Sequence, residues 1–168
     1  PEIKKINAIN LIAKTGVTSL FSLQERQLTN RSIRPDNIYF SDKDCEGIVF
    51  GEFVTSPPGF DQPVIFETIE RSMAGEGGRG QGSLDDDIYA LGATLAFLLQ
   101  DQDPMRGKSS EQIIFSKIIS NSYQSLIGGK LLTKSLLGLI RGMVQDDVNE
   151  RWGFEQLDTW LRGRHVKS

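Results

Sequence analysis

The segment DDDIYALGATLAFLL, Asp85 to Leu99, sets the strongest limit on how this chain can fold. From Ile88 to Leu99 the residues are apolar or small at almost every position, with no polar stripe at helical spacing. A helix with that character has to be buried on nearly all sides. It is far too short to cross a bilayer. Asp85, Asp86 and Asp87 at its head suit the positive end of a helix dipole, so the helix is expected to run from Leu84 to Gln100. A helix buried all round needs other elements to cover it, and the rest of the chain must supply them.

Most of that cover reads as helix. Ile6, Ile9, Ile12, Ala13, Leu20, Leu23 and Leu28 recur at mostly three- to four-residue spacing, which predicts a helix over Ile3 to Gln27. Gly16 followed by Val17 and Thr18 weakens its middle and marks a place for a kink. Asn30 to Asn37 is a loop, because Pro35 bars helical continuation. The runs NIYF and GIVFGEF flank the polar turn SDKDCEG and form a hairpin signal. Val54 to Ser83 reads as irregular, and a connection of that length is usually functional or mobile. Three further amphipathic helices are expected at Ser110–Ser122, Thr133–Val144 and Phe154–Arg162. The fold class is mainly α with a small β-hairpin, in one domain spanning residues 1–168.

Composition removes several classes of function. With 168 residues the chain can bury a proper core, and 38% hydrophobic with 24% charged residues is ordinary for a globular protein. A net charge of -3 argues against a broad nucleic-acid footprint. One cysteine, Cys45, excludes an internal disulfide and fits a reducing cytoplasm. One cysteine and one histidine, His165, argue against a zinc site and against a Cys–His catalytic pair. No signal peptide or membrane segment is evident, and a start on Pro1 without Met reads as part of something longer. Gly75 to Gly80 matches G-x-G-x-x-G, but no second parallel strand follows, so it reads as a flexible glycine loop.

The stretch NRSIRPDNIYF, Asn30 to Phe40, is the main candidate for chemistry. Phosphoryl transfer needs a divalent metal held by carboxylate and amide oxygens, and a carboxylate to accept the proton of the attacking hydroxyl. Asn37, with Glu52 returned beside it by the hairpin, has the makings of a metal pair. On composition alone the plainer reading is favoured over the metal pair: a turn Asn and a strand-end Glu in solvent.

The order of segments adds to this. NRSIRPDNIYF resembles the catalytic loop of eukaryotic-type protein kinases, H-R-D-L-K-P-x-N-I. Arg31, Ser32, Arg34, Pro35 and Asn37 fall on its Arg, Asp, Lys, Pro and Asn. VFGEFV resembles the D-F-G segment, with Glu52 on its Asp. FETIER resembles the A-P-E region with Glu70 on its Glu, and DDDIYALG the buried helix after it with Asp87 on its Asp. LIRGMVQDDVNERW resembles the late segment whose Arg, here Arg151, pairs with the A-P-E Glu. The resemblance covers the large C-terminal lobe only, with residues 29–53 as catalytic loop and hairpin, 54–83 as activation segment and 84–168 as helical subdomain. The small lobe, with its glycine-rich loop and strand lysine, is absent from these residues.

The departures are chemical. Ser32 stands where a general base is needed, Glu52 where the metal-binding Asp would be, and Val54 where that segment has Gly. Arg31, Pro35, Asn37, Glu70, Asp87 and Arg151 keep the framework. The resemblance therefore implies a pseudokinase: no working catalytic residue, no cofactor, and a protein partner or a second copy on the face the small lobe would cover. Ile38, Phe50 and Phe53 are the apolar residues expected there. Its alternative is the C-lobe of a divergent active Ser/Thr kinase using ATP and Mg²⁺, with Asn37 and Glu52 on the metal. An ion pair between Glu70 and Arg151 is implied in either case, and Arg31 is the expected partner of a phosphate placed on Thr55, Ser56, Ser72 or Ser83.

Overall fold

In the computed structural model the helix headed by the three aspartates, α3 (Leu84–Leu99), lies at the centre of the core, as its all-round apolarity requires. Ile88, Leu91, Ala93, Leu95 and Ala96 are each fully excluded from solvent. The structure describes residues 2–44, 46–52, 57–100, 102–128 and 133–166. Among them are seven α-helices and one two-stranded antiparallel sheet, so the fold is mainly α with a small hairpin. No helix among the described residues is long and apolar enough to cross a membrane.

Two glycines let α3 meet its neighbours closely. Helix α1 runs unbroken from Glu2 to Glu25, so Gly16 is a contact point and not the kink its sequence suggested. A methyl group added at Gly16 would sit 3.0 Å from Leu91 Cδ1. Gly92 on α3 does the same towards α6 (Lys134–Met143), where an added Cβ would lie 2.6 Å from Met143 Cβ. Helix α7 (Phe154–Leu161) is joined to α1 by an edge-on contact of Phe154 with Phe21, ring centres 5.1 Å apart. Asp86 reaches back at the head of α3 to accept from the Ser83 amide at 2.7 Å.

The hairpin pairs β1 (Ile38–Phe40) with β2 (Ile48–Phe50) in the register Ile38 to Phe50, Tyr39 to Val49 and Phe40 to Ile48. Residues expected to be irregular include a short helix, α2 (Ile69–Met73), capped by Thr68, whose hydroxyl accepts from the Arg71 amide. A 3₁₀ turn, Val64–Phe66, precedes it and is buried. The helix expected over Ser110–Ser122 divides into α4 (Ser110–Ser120) and α5 (Ser122–Ile127). The break is Asn121, which turns the chain at φ 61° and caps α5 by accepting from the Gln124 amide at 2.9 Å. Gly128, left-handed at φ 58°, closes α5.

Candidate functional site

The loop Asn30–Asn37 is fixed from beneath by Asp87, the third aspartate of α3. Its carboxylate accepts from the Asn30 amide at 2.6 Å and the Arg31 amide at 2.8 Å. Burial pushes the Asp87 carboxyl up to about 6, while the two amides and Arg31 pull the other way. Arg31 adopts a left-handed φ of 62°, an uncommon conformation for a side chain of this size, and Asp87 holds the two amides that lead into it. Asn30 Oδ1 then accepts from the Ser32 amide at 2.9 Å. The Asn37 side-chain amide donates to Ser32 O at 2.9 Å and to Glu52 O at 2.8 Å. Gly51 has no side chain because an added Cβ would lie 2.2 Å from Asn37 Oδ1.

The structure therefore brings Asn37 and Glu52 together, but through the main chain of Glu52, whose side chain is on the exposed surface. Ser32 is 2% exposed, at the centre of the loop. Arg34 sits at the rim, donating to Asp36 at 3.0 Å, Asp61 at 3.0 Å and Gln62 at 3.2 Å.

Arg31 is not a free phosphate receptor. Its guanidinium pairs with Glu67 at 3.1 and 3.2 Å, and the two side chains are 2% and 1% exposed. The acid that sequence order pointed to, Glu70, is instead exposed on α2. Arg151 has no pairing with it: its guanidinium donates to the carbonyls of Gln145, Asp146 and Asp85 and lies over the Tyr89 ring at 5.3 Å. The expected Glu70–Arg151 pair does not form; the buried acid is Glu67, just after the 3₁₀ turn Val64–Phe66, and it pairs with Arg31, while Glu70 on α2 faces solvent. Burial raises the Glu67 carboxyl, opposed by Arg31. Of the residues considered for phosphate, Ser72 is buried, Ser83 is exposed at the head of α3, and Thr55 and Ser56 lie outside the described residues.

Two more buried cations grip the same segment, and neither was singled out by the sequence. Lys117 of α4 is completely buried and donates to Val64 O at 2.7 Å, Ile65 O at 3.0 Å and Glu67 O at 2.8 Å. Burial lowers its pKa to about 7, with Asp146 and Glu67 acting in the opposite sense. Arg79, 2% exposed, donates to the carbonyls of Gly59 and Gln62. An amphipathic helix with one lysine between isoleucines was the available signal for Lys117.

The outer face of the hairpin differs from expectation. Ile38 and Phe50 are half-buried and packed against the core, and Phe53 lies outside the described residues. The exposed apolar side chains are Tyr39, Phe40 and Val49, with Tyr39 and Val49 directly opposite one another. A cleft of about 450 Å³ opens beside Pro35 and Asp36, floored by Ile65, Phe66 and Phe97. Chemically, then, the loop offers a buried hydroxyl, an amide engaged with two carbonyls and a cation held by two acids. No protein-family model matches the chain.

Proposed function

We propose that the chain is a catalytically inactive, kinase-like C-terminal lobe that works by binding a protein partner or a second copy of itself. Ser32 carries this reading. It is buried at the position where phosphoryl transfer needs a carboxylate, and a serine hydroxyl cannot take a proton near neutral pH. Around it the loop is held in shape: Asp87 holds the loop amides, Asn37 ties the loop to the hairpin, and Arg31 ties it to Glu67. A loop kept in shape without its base supports a scaffold role over a catalytic one. Tyr39, Phe40 and Val49 offer the apolar surface for a partner, on the hairpin that a small lobe would cover. Under this reading the protein is cytoplasmic, touches neither membrane nor nucleic acid, and uses no ATP or Mg²⁺.

The test is a thermal-shift measurement on the natural protein, with any residues that precede this chain, in the presence of ATP with Mg²⁺ or Mn²⁺. No metal-dependent shift is expected, and Ser32→Asp should not create phosphoryl transfer. A clear metal-dependent shift would overturn the reading that the natural protein uses no ATP or Mg²⁺; phosphoryl transfer by the unaltered protein would overturn the proposal in favour of a divergent active kinase, with Asn37 and Glu52 on the metal.

A further inference from the structure

Both tryptophans of the chain, Trp152 and Trp160, line one cleft of about 400 Å³ between α6 and the end of α7. Its remaining walls include Lys134, Arg164 and His165, and among the described residues no acidic side chain lines it. In a chain of net charge -3 this is a local reversal of sign next to the largest aromatic surfaces present. The Trp160 ring is held in place by its N–H, which donates to Ser135 O at 3.3 Å and Ser135 Oγ at 3.1 Å. Trp152 is seated over Gly142, where an added Cβ would fall 2.2 Å from its ring.

The cleft is kept open by a second glycine. Gly138 is in the middle of α6, where glycine weakens a helix relative to alanine. Gly142 is demanded by packing, whereas a Cβ at Gly138 would meet nothing within 4 Å. Its φ is not positive, so backbone conformation does not require glycine either. What a side chain at Gly138 would do is fill the cleft that it lines.

We infer that this cleft is a binding site for a small aromatic anion, with its ring against the two indoles and its acidic group towards Lys134 and Arg164. Indole faces take flat apolar bodies, basic side chains at the rim select the negative charge, and the volume is in the range of small-molecule sites. This inference is independent of the reading of the Asn30–Asn37 loop.

The probe is 1-anilinonaphthalene-8-sulfonate, titrated into the full chain while tryptophan emission is followed, since both tryptophans are at the site. Saturable one-to-one quenching is expected. Lys134→Glu with Arg164→Glu, both on exposed positions, should weaken it by about tenfold or more. Gly138→Leu should abolish it while leaving the helical circular dichroism and Tm unchanged or higher. The uncharged N-phenyl-1-naphthylamine should bind more weakly and ignore the charge reversal. Absence of saturable quenching up to about 1 mM would overturn the inference. So would quenching that survives the charge reversal unchanged. Should Gly138→Leu fold poorly, the charge-reversed pair decides alone.

Discussion

The residue with the most at stake is Glu67. It is the carboxylate that neutralises Arg31, and both are buried beyond reach of water. Removing one member of a buried pair leaves the other charge uncompensated, which typically costs about 3–5 kcal/mol. Glu67→Gln should therefore lower stability by an amount in that range, read by urea denaturation, whereas Glu70→Gln on the surface of α2 should be nearly neutral. Equal effects from the two would show that the roles of these acids have been assigned wrongly. Lys117 gives a pH signature of opposite character. Its folded-state pKa, about 7, is below its ordinary value of 10.5. Below about pH 7 both folded and unfolded chains hold the proton; between about 7 and 10.5 only the unfolded chain does. Stability should then rise with pH across that window, by at most about 1.4 kcal/mol per pH unit. Lys117→Met should flatten the rise when the two proteins are compared by denaturation at matched pH values.

At the scale of elements, α3 decides whether the chain folds. Leu91 is fully buried and its methyl groups fill the space left by Gly16. Leu91→Ala should cost about 2–5 kcal/mol by the loss of buried area and the cavity left behind. A nearly neutral result by chemical denaturation would mean that α1 can collapse onto α3. The central helix was legible in the sequence because twelve residues without a polar stripe leave no other reading. The break at Asn121 was not, because isoleucine spacing continues up to Ile119 and a positive φ leaves no mark on hydrophobic periodicity. Glu67 was hidden for a related reason. Matching segments by order places an acid within a few residues, but burial is decided locally: Val64 to Thr68 are all buried, and exposure returns only at Glu70. The hairpin shows the same sensitivity with a period of two: the strands were found, but the side of each that faces out was taken one residue away. Asp87 and Asn37 were picked out in the sequence, but their contacts, carboxylate to loop amides and side-chain amide to carbonyls, appear only once the loop is folded.

For the whole molecule the question is what covers the hairpin. Tyr39 and Val49 form an exposed apolar cross-strand pair, about half exposed at 54% and 49%. If this face joins copies of the chain, the weight-average mass in sedimentation equilibrium should rise with concentration through the micromolar range. Tyr39→Lys with Val49→Lys should return it to the monomer with little change in stability, since neither side chain belongs to the core. A monomer at every concentration in the unaltered chain would count against self-association through this face.

The grip of Lys117 and Arg79 on the segment from Gly59 to Glu67 has a consequence for how freely that segment can vary. Five of the oxygens they hold belong to the main chain: Gly59, Gln62, Val64, Ile65 and Glu67. Every amino acid carries a carbonyl, so such an anchor is indifferent to the identity of the residues it fastens. The path of the segment can thus outlive changes in its own side chains, while exchange of either cation, each from another part of the chain, removes hydrogen bonds that fasten it.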